Sequence, residues 1–186
     1  YGFGLNTGML RTSKRLHHGG AIFGFTSSLN YLPGPDITVV VLENDHSSPV
    51  LEWHTRSEVQ GFTIDTVRQP ANGDWTTAVL ATIERAGAAP VGLASISNVH
   101  WSDGGAIDVE RVGAALKRQG AAFLIDATHS AGVTAMDVAR LDPDFVIFPT
   151  DKWVLGPYGR AFLYVAERDQ NGLPLEQTSY GRRDVR

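Results

Sequence analysis

Short, β-rich runs recur along this sequence at residues 37–42 (ITVVVL), 62–67 (FTIDTV), 91–96 (VGLASI), 122–125 (AFLI), 145–148 (FVIF) and 161–165 (AFLYV). Several are continuously apolar instead of alternating, the pattern of strands buried on both faces of a parallel sheet. Such a sheet needs helices on both of its sides. Residues 75–86 and 109–119 lie between strand runs and carry apolar residues at three- and four-residue spacing, which predicts amphipathic helices. Asp108 is the expected N-cap of the second helix and Gly120 its expected stop. Strand and helix alternating in this way imply right-handed crossovers and a doubly wound α/β domain with a mostly parallel sheet. Residues 1–20 show no clear period and are expected to be loop-like or extended.

Ligands of such sheets bind outside the carboxyl ends of the strands, so the polar residues that follow each apolar run are the functional candidates. Four clusters qualify: Asn44 to Ser48, Ser97 to Gly104, Asp126 to Gly132, and Pro149 to Trp153. The pair Asp126 and Lys152 stands out, because each closes a strand and their separation is about one strand-to-strand step. An amine at such a rim can form a Schiff base with a carbonyl, and a carboxylate can hold a pyridine nitrogen protonated so that the ring becomes an electron sink. A surface salt bridge or two unrelated polar residues fit the same spacing equally well. The tandem His17-His18 lacks helical partner spacing and a nearby acidic ligand set, so it is expected to be a polar loop and no metal site is assigned.

Composition narrows the alternatives. Sixteen Lys and Arg against twenty Asp and Glu leave a net charge of −4, which is no electrostatic footprint for nucleic acid or an anionic membrane. The longest apolar runs fall far short of the roughly 20 residues of a spanning helix. A soluble, cytoplasmic protein is therefore expected. None of G-x-G-x-x-G, a Walker-type Gly-Lys-Ser/Thr loop or G-x-S-x-G occurs, which argues against a nucleotide-binding domain or a serine hydrolase.

The stretch from Ser97 onward, with Asp126-Ala-Thr-His-Ser-Ala-Gly132 and Asp151-Lys-Trp-Val-Leu-Gly-Pro-Tyr-Gly159, resembles the class V aminotransferase family. These are fold type I pyridoxal-5′-phosphate enzymes that include cysteine desulfurases, kynureninases and isopenicillin epimerase-like proteins. The resemblance implies that Lys152 forms the Schiff base with the cofactor and shuttles the α-proton, and that Asp126 pairs with the pyridinium nitrogen. It implies that His46 stacks on the pyridine face, that His129 lies near the phenolic oxygen, and that Thr26 and Ser27 hold the phosphate, at the start of a helix whose dipole would assist. Burial and a nearby cationic ring are expected to favour the free amine of Lys152. The implied activity is lyase, desulfurase or aminotransferase chemistry on an amino-acid substrate through an external aldimine, in a homodimer. Residues 21–175 would form the cofactor-binding large domain, with 176–186 leading toward a C-terminal domain.

Several positions depart from the family pattern. Asp151 precedes the lysine where relatives often have His or Tyr, and Pro149 stands where some carry a phosphate-binding Ser. An acid beside a phosphate is repulsive. The run from Thr26 to Ile37 contains Pro33 and Pro35 and is too short for the long helix of relatives. No substrate-binding Arg of a C-terminal domain is identified. These departures keep open a non-catalytic homologue acting as a binding or scaffold protein. The absence of cysteine leaves desulfuration open, because the sulfur-accepting Cys of desulfurases lies in their C-terminal region.

Overall fold

The structure is a computed structural model that describes residues 6–10, 13–22, 25–31, 37–85 and 89–170, with the backbone alone for residues 6–31 and Val59. The chain divides into two compact units, Gly34–Ala166 and Tyr1–Pro33 with Glu167–Arg186.

In the smaller unit, β1 (Asn6–Leu10), β2 (Ser13–Ile22) and β3 (Phe25–Tyr31) form an antiparallel sheet in the order β1-β2-β3. Two expectations are corrected here. His17 and His18 lie within β2 instead of a loop, and Thr26 and Ser27 lie on β3, opposite Ala21 and Gly20, instead of opening a helix. The segment Phe-Thr-Ser-Ser-Leu-Asn-Tyr is rich in β-formers, and pairing with β2 satisfies its backbone before the prolines at 33 and 35.

The larger unit is built from β4 (Thr38–Leu42), α1 (Ser47–Gln60), β5 (Thr63–Val67), α2 (Trp75–Ile83), β6 (Val91–Ser97), α3 (Val109–Gln119), β7 (Ala122–Asp126), α4 (Val138–Leu141), β8 (Phe145–Pro149) and β9 (Ala161–Val165). Its six-stranded sheet has the order β5-β4-β6-β7-β8-β9. The first five strands run parallel, and β9 returns antiparallel to β8. The expected strands and the helix at Val109–Gln119 are all present, within a residue or so at their ends. As expected, the Asp108 carboxylate caps α3 by accepting from the Arg111 amide, and Gly120 ends it at φ 70°. Helix α2 stops at Ile83, short of the predicted residue 86.

Helix α1 was not evident in the sequence. Its apolar stripe is weak, it contains Pro49, and its N-cap is His46 instead of a Ser, Thr, Asp or Asn. Ser47-Ser48-Pro49 in its first turn and Gly61 at φ 77° after it are the signals that mark its ends.

Strand alternation sorts the core onto two faces. Val40, Leu42, Ala94, Ile96, Phe123 and Ile125 join the cluster with Trp75, Val79, Ile83, Val112, Ala115 and Leu116 of α2 and α3. Val39, Val41 and Leu93 are buried outside that cluster, and Ser95 donates its hydroxyl to the Pro49 carbonyl of α1 at 2.8 Å, so α1 covers the opposite face. By the same alternation, Ser97 and Asp126 end their strands on the α1 side. No helix among the described residues is long and apolar enough to cross a membrane.

Candidate active site

The carboxyl ends of β4, β6, β7 and β8 form one rim, and its polar residues come from the loops that follow. After β4, Asn44 adopts φ 56° and turns the chain into Asp45 and His46. His46 caps α1: its Nδ1 accepts from the Ser48 amide at 3.4 Å and lies 2.9 Å from Ser48 Oγ. Its ring stands edge-on to the Trp101 indole, with centroids 5.9 Å apart. Trp101 in turn donates its indole N–H to the Asn44 carbonyl at 2.6 Å. The β6 exit therefore braces the turn that carries His46.

Asp126 closes β7 in register with Ser97 of β6 and is 1% exposed. Its Oδ1 accepts from both the amide and the hydroxyl of Thr128. Its Oδ2 is buried and has no hydrogen-bond partner. Desolvation raises its pKa above the ordinary 3.8, and the nearby Asp45 charge adds to this, against the Thr128 hydrogen bonds and the His46 ring. A buried carboxylate with one oxygen satisfied and the other left open is costly unless a donor arrives to meet it.

His129 follows in the same turn, and its Nε2 is likewise buried without a partner. Desolvation holds its pKa below the ordinary 6.5; Lys152 and His46 act in the same direction, while Asp126 and Asp45 oppose them. These five side chains thus feel one another across a single rim. Ser130 anchors the turn from below, being fully buried and donating to Asn98 Oδ1 at 2.7 Å.

Lys152 lies three residues beyond the end of β8, the strand next to β7, as the spacing implied. Its side chain is exposed, so the expected burial of the amine is not found in this chain. The loop that carries it is held by backbone contacts. The Gly156 amide donates to the Thr150 carbonyl at 2.7 Å, and Thr150 Oγ1 donates to the Pro157 carbonyl at 2.6 Å. A Cβ on Gly132, which has φ 96°, would stand 2.5 Å from the Trp153 carbonyl oxygen, so the turn after β7 and the lysine loop are in direct backbone contact. Asp151 is partly buried, and Pro149 is the last residue of β8.

The structure brings Asp126, His129, Lys152 and His46 to this rim. The side chains of Thr26 and Ser27 lie outside the described residues. His100 and Trp101, neighbours in the cluster that follows β6, take different places. His100 is fully buried and stacks on Trp75 at 4.5 Å, with its ring nitrogens 3.1 Å from Asp103 Oδ1 and 3.0 Å from the Glu43 carbonyl. Trp101 is 51% exposed and faces His46. Thr128, Asn98, Asp45 and Gly132 were missed individually. Their only sequence signal was membership of the polar clusters at the strand exits.

The sequence profile of the family described as aminotransferase class-V matches residues 19–183. A probable cysteine desulfurase of Methanothermobacter thermautotrophicus is 31% identical over 136 residues, covering 73% of this chain and 33% of that protein. The isopenicillin N epimerase of Amycolatopsis lactamdurans is 30% identical over 133 residues, covering 70% of this chain and 33% of its own length. Among solved structures, the cysteine desulfurase of Thermococcus onnurineus NA1 superposes with a TM-score of 0.61 at 25% identity, over 70% of this chain and 32% of that one. The chain therefore spans about a third of the length of the relatives it matches.

Proposed function

Because the chain belongs to the aminotransferase class-V family, we propose that it is the cofactor-binding part of a pyridoxal-5′-phosphate enzyme acting on an amino acid, by lyase, desulfurase or aminotransferase chemistry. The observation that carries this is Asp126, a buried carboxylate whose Oδ2 lacks a donor at a rim that also bears Lys152. When bound, the cofactor supplies a protonated pyridine ring that draws electrons from the substrate's α-carbon.

The chain's own groups suit that ring. Thr128 occupies Oδ1 of Asp126, which leaves Oδ2 to hold a ring N–H in a low-dielectric setting where a charged hydrogen bond is strong. His129 Nε2 is free to meet a second polar atom of the cofactor, and the His46 ring, pinned by its cap and by Trp101, offers a stacking face. The Lys152 amine is the nucleophile toward the cofactor carbonyl and the base that moves the α-proton. Its exposure in the single chain is consistent with closure of the site by a second subunit, and light scattering tests the expected homodimer. The desulfurase and epimerase relatives do not favour the scaffold alternative.

The test is spectroscopic. Added pyridoxal 5′-phosphate should give a visible absorbance band that borohydride converts into a stable adduct on Lys152, mapped by peptide mass. A Lys152→Ala variant that retains the same adduct would refute the assignment.

A further inference from the structure

Asp45 has no role in the scheme above, yet its carboxylate accepts three hydrogen bonds. Oδ1 accepts from Ser97 Oγ at 2.8 Å and from the His46 amide at 2.7 Å, and Oδ2 accepts from the Ser97 amide at 3.2 Å. The donors belong to two different elements. His46 caps α1, while Ser97 ends β6 in register with Asp126. The bond to the His46 amide is an ordinary local turn contact. Both bonds to Ser97, 52 positions away, tie the turn to a neighbouring strand end.

We propose that Asp45 is a positioning residue of this site: it bolts the first turn of α1 to the end of β6, fixing the His46 ring over the rim, and sets a second negative charge beside Asp126. The inference rests on the proposed roles of His46 and Asp126. Two observations support it. Asn44, which precedes Asp45, accepts the Trp101 indole N–H on its carbonyl, so the β6 exit holds this turn at a second point. The Asp45 charge also acts on both Asp126 and His129, raising the proton affinity of each.

Three variants separate bolt from charge. Asp45→Asn keeps the size but loses the charge and one accepting oxygen; Asp45→Glu keeps the charge and lengthens the arm; Ser97→Ala removes a donor and leaves the charge. In cofactor-free protein the charge is read by NMR titration of His129, which is faced by Asp126, Lys152, His46 and Asp45. Its midpoint should move to lower pH in Asp45→Asn and stay at the wild-type value in Ser97→Ala and Asp45→Glu. The bolt is read by nuclear Overhauser contacts between the His46 ring and the Trp101 indole, which should be lost or weakened in all three variants. Binding of pyridoxal 5′-phosphate should be about tenfold weaker in Asp45→Asn, the equivalent of one charge-assisted hydrogen bond. If the wild type takes up no pyridoxal phosphate, the proposed function fails while the two NMR readouts still judge Asp45. If the wild type binds and Asp45→Asn binds equally well, or if either NMR readout stays unmoved in Asp45→Asn, the role of Asp45 is overturned.

Discussion

Gly132 makes the contact between the turn after β7 and the Lys152 loop measurable. Its φ of 96° lies where L side chains are unfavourable, and an alanine Cβ would stand 2.5 Å from the Trp153 oxygen and 2.7 Å from the Trp153 carbonyl carbon. Both are backbone atoms, so no rotamer change relieves the clash. Gly159, in the lysine loop itself, has a φ of 82° with nothing within 4 Å of its would-be Cβ. Gly159→Ala therefore carries the conformational cost alone, about 1 kcal/mol. Gly132→Ala adds an overpacking cost of about 2 kcal/mol, for a total of about 3 kcal/mol. At about 2–4 °C per kcal/mol for a chain of this size, melting should fall by about 6–12 °C for Gly132→Ala and about 2–4 °C for Gly159→Ala. The alternative relief is for the exposed Trp153-Val154 segment to swing away, which spares stability but moves Lys152 and lowers the yield of borohydride-fixed adduct. Thermal melts and adduct yield measured together cover both routes. If Gly132→Ala matches Gly159→Ala in melting temperature and in adduct yield, the loops do not touch as described and the reasoning fails.

Two further substitutions test Asp126 and Asp103. Asp126→Asn should melt higher than wild type in the cofactor-free state at pH 7. The raised pKa of Asp126 means that the folded state binds a proton the unfolded state does not, so its contribution falls as pH rises from 3.8 to the raised folded value and stays unfavourable above it. The advantage should disappear near pH 3, and cofactor binding should be lost at all pH values; a variant less stable than wild type at pH 7 contradicts the burial argument. Asp103→Asn should destabilise by about 2 kcal/mol in urea melts, because one oxygen can no longer accept from the pairs formed by Trp75 with Gln69 or His100 with Gly105. Burial pushes the Asp103 pKa up, but the Gly105 and Trp75 hydrogen bonds and His100 outweigh it, so its contribution is present above 3.8 and is lost as pH falls through its lowered folded value. The gap from wild type should therefore narrow below pH 3.8, and a gap that persists unchanged at pH 2 argues against the charged network.

The parallel sheet was legible because each strand advertises itself locally: a run such as Thr38–Leu42 must be apolar on both faces whatever its neighbours are. The α3 caps were legible for the same reason, since Asp108 and Gly120 act within their own turns. Asp126 and Lys152 could be singled out because a strand exit is visible in one dimension. Helix α1 escaped notice because its cap and stripe are atypical, and β2 and β3 because antiparallel pairing depends on a partner segment more than on local period.

Sequence alone thus determined the layer order and which residues stand at strand ends, properties set by backbone preference and hydrophobic period. Only the tertiary structure decided that Asp126 keeps one oxygen without a donor, that Asp45 reaches Ser97 across 52 positions, and that Gly132 meets the Trp153 peptide. Each of these depends on desolvation or on contact between elements remote in the chain, and burial and distance are properties of the packed molecule, which no local pattern of residues encodes.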